Sequence, residues 1–380
     1  MKIHLCLAHM SGNEKRFIDE AFADNWVVPL GPNVDGFEKD LESFLKGNGA
    51  DDVYVAAVSA GTAAIHLALV MLGVGAGDEV MCQSFTFAAS ANPVVYQGAT
   101  PVFVDSEPDT WNMDPTLLDK AIADRISKTG RKPKAIIAVH LYGMPAKMDE
   151  ILEVAAKWGI PVVEDAAEAL GSEYKGRKCG TLGHYGILSF NGNKMITTSG
   201  GGALVCHDKA SKDRAVFFAT QAREPFPYYQ HEHIGFNYRL SNISAGIGRG
   251  QMTILEEHIA HHRMLAGLYR DLFSRVDGID FHDNPDASSD ANFWLSTITI
   301  DPARTGGLTP QKAMAALAEK DVESRMLWKP MHMQPVYSSA PAYTNGVSSQ
   351  LFSCGLCLPS GPWVTPENVE MIVKTLSPNV

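Results

Sequence analysis

The sequence predicts an α/β protein with a large domain built on a mostly parallel sheet and a smaller α+β domain at the C-terminal end. Strand and helix signals alternate from about residue 53, as in proteins whose parallel strands are joined by crossover helices. Most predicted strands are apolar throughout, which is typical of strands covered on both faces. A chain of 380 residues is also too long for one simple core. We expect residues 1–250 to form the large domain, with the N-terminal segment able to pack against the small lobe, and 251–380 to form a bridging helix and the small domain.

The large domain is predicted to open with a strand over 53–58 and a helix over Thr62–Leu72. Further elements alternate, with strands at Glu79–Gln83, Pro101–Val104, 135–141, 160–165, 187–190 and 202–207 and helices at 117–126 and 148–159. A helix from about Asn242 to Val276 has apolar residues at helical spacing, so we expect it to bridge the lobes. In the small domain we expect a strand at 293–300, a helix at 309–320 and a strand-like segment at 351–361.

Composition and charge exclude several classes of partner. Hydrophobic content of 45% and charged content of 20% describe an ordinary globular protein. The net charge of −11 argues against nucleic acid and against anionic membranes. The longest uncharged stretch, Val80–Val104, contains prolines and a glycine and is no membrane span, and the N-terminus lacks the apolar core of a signal peptide. Six scattered cysteines favour reduced thiols in a cytoplasmic protein.

Three features in a fixed order along the chain predict a pyridoxal phosphate (PLP) enzyme. The turn Ser59-Ala60-Gly61-Thr62 opens a helix, and free backbone N–H groups at a helix N-terminus, with the Thr62 hydroxyl, suit a phosphate. Asp165 ends an apolar strand, where its carboxylate would keep the pyridine nitrogen protonated. Lys194 would form the Schiff base with the cofactor and, once released, act as the general base.

Each of these features also has an ordinary explanation when taken alone. A Ser-Ala-Gly-Thr turn can simply cap a helix. Asp165 could be the N-cap of a following helix, and Lys194 could be a solvated surface charge. The order of the three features along the chain favours the PLP interpretation over these separate ones.

Three other motifs are interpreted as structural, so we expect no metal site. The glycine-rich run 73–77 follows a helix and precedes a strand, the reverse of a dinucleotide-binding turn. His258, His261 and His262 share a helix with charged residues and lack a distant partner motif, which favours a solvated or interface helix face. Cys354–Cys357 has redox spacing, but no second pair completes a zinc site.

Motifs spread over nearly the whole chain resemble the DegT/DnrJ/EryC1/StrS family of PLP-dependent nucleotide-sugar aminotransferases. These motifs are PLGPNVDGFEKDL, SAGTAAIHLAL, SFTFAASANP, VHLYG, EDAAEALGS, SFNGNK, IGFNYRLSN and LWKPMHMQPVY. The resemblance implies PLP fold type I, which is the aspartate aminotransferase-like fold, and a homodimer with two shared active sites. One departure is visible: many members have T-G-E-G-G where this chain has 198–202 as T-S-G-G-G, so an acidic side chain is missing.

The resemblance also implies a role for individual residues. Lys194 matches the Schiff-base lysine and Asp165 the partner of the pyridine nitrogen. The remaining assignments are Gly61, Thr62 and Ser189 in the phosphate cradle, Phe87 stacked on the cofactor ring, Glu168 beside its phenolic oxygen, Asn237 at the phosphate of the neighbouring subunit, and Trp328 and His332 at the substrate. From the residues alone, Phe87 could equally be core, and Trp328 could be packing.

The expected activity is transfer of an amino group from an amino acid, glutamate by preference, to the C4 ketone of a UDP-4-keto-6-deoxy-N-acetylhexosamine. This follows from similarity to the subgroup of the bacillosamine pathway in SFNGNK, TTSGGG, TQARE and LWKPMH. The alternatives are a GDP- or dTDP-linked keto-sugar, amination at C3, a PLP lyase, and a non-catalytic PLP-binding regulatory protein. The sugar 3-dehydratases of the family have histidine in place of the lysine, so Lys194 argues against that activity.

Overall fold

The computed structural model describes residues 2–47 and 52–377, and its described part contains three sheets and the helices that cover them. The strands are β1 Tyr54–Val58, β2 Glu79–Gln83, β3 Thr100–Val104, β4 Ala135–Val139, β5 Val162–Asp165, β6 Glu173–Tyr174, β7 Arg177–Lys178, β8 Tyr185–Ser189, β9 Gly202–Cys206, β10 Ile279–Phe281, β11 Ser289–Asp290, β12 Ser296–Ile300, β13 Arg325–Met326, β14 Ala342–Tyr343 and β15 Gly355–Leu358. The helices are α1 Glu14–Ala23, α2 Pro32–Lys46, α3 Gly61–Met71, α4 Ala88–Tyr96, α5 Pro115–Thr129, α6 Met148–Trp158, α7 Lys209–Ala219, α8 Asn242–Met252, α9 Leu255–Phe273, α10 Pro310–Ala318, α11 Val347–Cys354 and α12 Pro366–Leu376.

The large sheet has the strand order β1-β9-β8-β5-β4-β2-β3-β14. All neighbouring pairs from β14 to β8 are parallel, while β9 is antiparallel to both β8 and β1. Strands β4 and β9 are apolar and fully buried, because helices pack on both faces of the sheet. The prediction of an α/β protein with a mostly parallel sheet is therefore confirmed.

The strand register brings separated parts of the chain to one edge of the large sheet. Asp165 is the last residue of β5 and Ser189 the last of β8. Gly202, the first residue of β9, is paired with both Ser189 and Val58. Since α3 starts at Gly61, just beyond Val58, its N-terminus opens beside the ends of β5 and β8. Ligands of open parallel sheets bind at this carboxyl edge.

The C-terminal part of the chain forms a four-stranded antiparallel sheet of order β10-β12-β15-β13. Helices α9, α10 and α12 bury their apolar faces against it, with Tyr269 and Phe273 among the fully buried side chains. The first residues of the chain pack here, since Ile3 bridges to Val322 and the Leu5 carbonyl accepts from the Ser360 N–H. Strand β14, by contrast, leaves this lobe and pairs with β3 at the edge of the large sheet.

Two predicted elements are wrong in detail. The helix expected over 242–276 is interrupted between α8 and α9, where Ile254 leaves helical geometry at φ −123°. The strand-like segment 351–361 begins as helix α11 and becomes β15 only at Gly355. Hydrophobic runs of this length do not by themselves distinguish helix from strand.

The sequence favours a solvated or interface face for the three neighbouring histidines of α9, and the structure excludes the solvated one. His258 and His262 are buried, and His261 is partly buried. One nitrogen of each ring contacts a backbone carbonyl, namely that of Met195 for His258, Val364 for His261 and Phe293 for His262. The helix packs between the lobes, so its polar side chains satisfy carbonyl groups of the chain around it.

The cysteines and the helices bear on two other expectations. Cys6, Cys82, Cys179, Cys206, Cys354 and Cys357 are all free thiols. Over residues 2–47 and 52–377, the structure contains no helix with both the length and the apolar composition to cross a membrane.

Candidate active site

A cavity of about 380 Å³ lies at the carboxyl edge of the large sheet. It is lined by segments from both lobes, since Trp294 and Trp328 come from the C-terminal part of the chain. The predicted site residues that line it are Gly61, Thr62, Phe87, Asp165, Glu168, Ser189, Lys194 and Trp328. Asn237 and His332 do not line it.

The N-terminus of α3 forms an anion cradle at one end of the cavity. Its N-cap residue, Ala60, has no side chain able to cap the helix, so backbone N–H groups of the first turn face the cavity without a capping partner. A Cβ atom on Gly202 would lie 2.3 Å from the Gly61 nitrogen, so this approach of β9 to α3 requires glycine. The Ser189 side chain lies against Gly61 and adds a hydroxyl. The arrangement suits a phosphate group.

Asp165 presents a buried carboxylate to the floor of the cavity. The Ser90 hydroxyl donates to its Oδ2 at 2.6 Å and the Ala167 N–H donates to its Oδ1 at 3.1 Å. Burial raises the pKa of Asp165, and these two hydrogen bonds together with the charge of Lys194 oppose the rise. A cation placed against this carboxylate would be strongly favoured, because it would restore the charge compensation that burial removes.

Lys194 and Glu168 form an ion pair inside the cavity. The Lys194 Nζ lies 3.2 Å from Glu168 Oε1 and 4.1 Å from the centroid of the Trp294 indole ring. The pKa of Glu168 is raised by burial, and the charge of Lys194 and the hydrogen bond from the Tyr142 N–H only partly offset this rise. The Trp294 Nε1–H donates to the Asn193 carbonyl at 2.6 Å, which fixes the ring beside the lysine.

Tyr142 connects Glu168 to the aromatic wall of the cavity. Its backbone is left-handed, at φ 56°, a conformation that costs about 1–3 kcal/mol for a residue with a side chain. In that conformation its N–H donates to Glu168 Oε2 at 2.8 Å, and its phenolic oxygen accepts from the Trp328 N–H at 2.9 Å. Gly143 beside it must be glycine, since a Cβ would lie 1.9 Å from Asn292 Oδ1.

Phe87 and Trp328 form the mouth of the cavity. Phe87 is 59% exposed, so the alternative that it is a core residue is wrong. Its ring centroid lies 5.3 Å from that of Trp328, at an angle of 48°. A large aromatic ring left this exposed at a cavity mouth is available to a planar ligand.

Two predicted site residues lie elsewhere. The His332 Nδ1 lies 2.7 Å from the Ser84 hydroxyl, away from the cavity lining. Asn237 is exposed on a segment laid along β1, where the Tyr238 carbonyl accepts from the Ser59 N–H at 2.7 Å. The Phe236 and Tyr238 rings stack at 5.0 Å and pack against the core, so alternation along the segment turns Asn237 outward.

A second polar cluster, of His140, Glu164 and Cys179, is buried beneath the sheet edge. His140 Nε2 lies 2.8 Å from Glu164 Oε1, and the Ala146 N–H donates to His140 Nδ1, so Nε2–H is the donor to the carboxylate. Glu164 also accepts three backbone N–H groups, from Gly180, Leu182 and Gly183 at 2.6, 2.7 and 2.8 Å. Four donors use the lone pairs of one carboxylate, which leaves none for a metal ion.

Sequence reasoning missed three residues of the site. Ser90 and Tyr142 lie in the segments SFTFAASANP and VHLYG that carried the family resemblance, but no role was assigned to them. Trp294 was predicted only as part of a strand. Ser90 could have been found from its place in T-F-x-x-S, whereas nothing in the sequence indicates that Trp294 lies against Lys194.

Comparison with known protein families matches residues 9–377 to the DegT/DnrJ/EryC1/StrS aminotransferase family. A Bacillus subtilis (strain 168) protein, named putative pyridoxal phosphate-dependent aminotransferase EpsN, is 49% identical over 99% of this chain and 95% of its own length. The GDP-perosamine synthase of Escherichia coli O157:H7 is 35% identical over 97% of this chain and 96% of that enzyme. A solved DegT DnrJ EryC1 StrS aminotransferase from Brucella abortus has a TM-score of 0.88 and 30% identity, covering 96% of this chain and 94% of that one.

Proposed function

This chain belongs to the DegT/DnrJ/EryC1/StrS aminotransferase family, and from that membership we propose a PLP-dependent aminotransferase acting on a nucleotide sugar. The amino donor is glutamate, and the acceptor is the C4 ketone of a UDP-4-keto-6-deoxy-N-acetylhexosamine of the bacillosamine type. One observation carries the proposal: Lys194, Asp165 and the uncapped N-terminus of α3 line the same cavity. The six cysteines of the protein are free thiols, as expected in a reducing compartment, which supports a cytoplasmic location.

The residues around the cavity fit PLP in charge and in shape. The glycine-lined cradle of Gly61, Thr62 and Ser189 would hold the phosphate, and Asp165 would hold the protonated ring nitrogen. Phe87 would stack on the ring and Glu168 would lie beside the phenolic oxygen. When bound, PLP supplies the electron sink that lets an amino group leave one carbon and join another.

Lys194 has two tasks in this reaction. When PLP is bound, Nζ would hold it covalently, and as a free amine it would move a proton between two carbons. Glu168, 3.2 Å from this amine, and the Trp294 ring restrict where Nζ can go. Because donor and acceptor use the same site in turn, the proposal predicts ping-pong kinetics.

The proposal also specifies which nucleotide carries the sugar substrate. The segments SFNGNK, TTSGGG and LWKPMH resemble the subgroup that uses the UDP sugar, which favours UDP. The relative named GDP-perosamine synthase makes a GDP sugar the first alternative, followed by dTDP sugars and amination at C3. A site that hydrogen-bonds an acetamido group rejects analogues without it, because each buried donor left unpaired costs roughly 1–3 kcal/mol.

Incubating the protein with glutamate and each of three keto-sugar nucleotides tests this function. The panel holds UDP-4-keto-6-deoxy-N-acetylglucosamine, GDP-4-keto-6-deoxymannose and a dTDP-linked keto-sugar, and product mass is followed. We expect a yellow protein with the highest kcat/KM on the UDP sugar, and Lys194→Ala should lose both the covalent link to the chromophore and the turnover. Preference for another nucleotide would refute the subgroup assignment alone, whereas wild-type turnover by Lys194→Ala would refute the aminotransferase.

The proposal includes a homodimer in which each site takes Asn237 from its partner. Asn237 faces away from its own cavity, and the surface near it in sequence is apolar: Tyr228, Tyr229 and Ile234 are 62%, 79% and 85% exposed. Exposed apolar surface of this kind marks a protein interface.

Subunit mixing tests this dimer. Lys194→Ala and Asn237→Ala homodimers should both be impaired, while their one-to-one mixture should recover about a quarter of wild-type activity, since half the dimers are mixed and each has one intact site. The control is remixing each variant with itself. Absence of recovery, or full activity of a monomer at high dilution, would contradict the shared site.

A further inference from the structure

Lys194 carries a positive charge during part of the proposed reaction. As a base, Nζ takes a proton from the α-carbon of the amino donor: the C–H bond breaks, its electron pair passes to the cofactor, and Nζ becomes an ammonium group. The proton then leaves Nζ for the second carbon, which restores the neutral amine. Only 14% of the Lys194 side chain is exposed, and a buried cation is unfavourable unless neighbouring groups stabilise it.

The carboxylates of the cavity are already assigned to the cofactor. In the part of the chain that the structure describes, the cavity-lining residues that carry a charge are Asp165, Glu168 and Lys194. The proposed function places Asp165 at the ring nitrogen and Glu168 beside the phenolic oxygen. With the cofactor bound, neither carboxylate is therefore left for the ammonium form of Lys194 alone.

The indole ring of Trp294 lies where it can stabilise this ammonium group. Lys194 Nζ lies over the ring, 4.1 Å from its centroid, and Trp294 is 3% exposed. The face of an aromatic ring carries partial negative charge and attracts a cation, most strongly where both groups are shielded from water. The neutral amine has no full charge to attract. The contact therefore favours one of the two protonation states that alternate on Lys194.

The fold fixes the Trp294 ring beside the lysine through several contacts. Its Nε1–H donates to the Asn193 carbonyl at 2.6 Å, and its backbone N–H donates to Asn292 Oδ1 at 2.8 Å. The Asn292 Nδ2 group also donates to the Glu168 carbonyl at 2.9 Å, so one side chain joins the two residues that face Nζ. Phe293 has a left-handed backbone, at φ 50°, which is unfavourable for a residue with a side chain. Strain of this kind persists where the surrounding structure imposes it, and it is concentrated at functional sites.

We propose that the indole face of Trp294 is a catalytic group that stabilises the ammonium form of Lys194 during proton transfer. This inference rests on the proposed function. Packing alone would need the volume of the ring, whereas this role needs the electron density of its face. A change of electron density at nearly constant shape therefore separates the two explanations.

Fluorinated tryptophans placed at position 294 alone provide that change. Monofluoro-, difluoro- and trifluorotryptophan withdraw electron density from the ring face in steps and keep the indole N–H group. Trp158 is the matched control for the same three replacements. Its Nε1–H also donates to a neighbour, Asp119 at 2.7 Å, and Lys157 Nζ lies 5.1 Å from its ring centroid, but it is outside the cavity lining.

Two measurements are made on each protein. In the holoenzyme, the half-reaction with glutamate is followed by single-turnover absorbance, with α-deuterated glutamate in parallel to identify the proton transfer. In the apoprotein, the rate at which acetic anhydride acetylates Lys194 at fixed pH is followed by peptide mass spectrometry. Acetylation requires no cofactor, and only the neutral amine reacts.

We expect each added fluorine at position 294 to slow the half-reaction, by about tenfold in total for the trifluoro variant. The deuterium isotope effect should rise along the series, and the glutamate concentration that gives half the maximal rate should not change. In the apoprotein, acetylation of Lys194 should become about threefold faster along the same series, because the ring attracts the ammonium form less. The Trp158 series should match wild type in both measurements.

Two results would overturn the proposal. Wild-type rates of proton transfer and of acetylation in the trifluoro variant would show that the ring only packs against the lysine. Weaker glutamate binding with an unchanged rate of proton transfer would show that the ring acts on the donor and not on the base. Failure of the wild-type holoenzyme to react with glutamate would instead refute the proposed function, and the acetylation series would still decide whether the indole face stabilises the charge of Lys194.

Discussion

Glu164 and Asp165 are adjacent on β5, yet their environments shift their pKa values in opposite directions. Burial acts on both carboxylates. For Glu164 the hydrogen bond of His140 and the N–H groups of Gly180 and Gly183 more than offset burial and lower the pKa. For Asp165 the Ser90 and Ala167 hydrogen bonds are too few, and the pKa stays raised. Successive strand residues face opposite sides of a sheet, so one faces the interior and the other the cavity.

The contrast separates a carboxylate whose lone pairs are all used by donors of the fold from one that faces the cavity with fewer donors. A buried charge with all its lone pairs used contributes to the native state, whereas one with lone pairs left over is destabilising until a partner arrives. The neighbouring acids thus form a comparison in which strand and burial are matched, while the side that each residue faces and the number of its hydrogen-bond donors differ.

Asp165→Asn should have the largest effect, and it should fall on activity. Losing the charge that would hold the ring nitrogen protonated is expected to lower kcat roughly 10²–10³-fold. The unfolding free energy of the apoprotein should not fall, because the uncompensated charge is gone. Single-turnover absorbance and urea unfolding measure the two quantities. A variant that loses stability but keeps kcat would reverse the roles assigned to this pair.

Glu164→Gln should show the converse pattern. The amide group cannot accept all four hydrogen bonds, so one N–H group is left opposed by another donor, at a cost of about 3 kcal/mol in unfolding free energy. The kcat of the folded fraction should remain near that of wild type. Urea unfolding of apoprotein and kcat at saturating PLP test this, and a loss of kcat with unchanged stability would show that Glu164 belongs to the site.

The pH dependence of stability should show the smallest effect. The folded pKa of Glu164 is below its ordinary 4.5, so its stabilisation is complete above pH 4.5 and is lost as pH falls through the folded pKa. Asp165 has a pKa raised above 3.8, so its burial as a charged group destabilises the fold, and protonation at low pH removes this destabilisation. Below pH 4.5 the wild type should lose stability more steeply than Glu164→Gln. If the unfolding free energies of the two apoproteins fell equally with pH, Glu164 would not contribute to the loss of stability in acid.

Sequence patterns could predict the parts of the site fixed by strand ends and helix starts. Asp165 and Thr62 follow β-branched apolar runs, and parallel strands bring such ends to one edge. The roles of Glu164 and Trp294 depend on contacts with residues far away in the chain, which no local pattern encodes. The same limit applies to the α8–α9 interruption at Ile254, which no local pattern in the sequence marks.

Strand β14 has a consequence for synthesis of the protein. Ala342–Tyr343 pairs with β3, so a nascent chain that has emerged from the ribosome only as far as β12 exposes β3 as an open edge. Unpaired edges of this kind template aggregation. The Tyr343 hydroxyl also donates a hydrogen bond to Asp124 on α5, so a side chain of the late segment is bound to a helix that is translated much earlier. Completion of the large sheet therefore waits for translation of the last part of the chain, and a fragment ending before β14 cannot form the native edge.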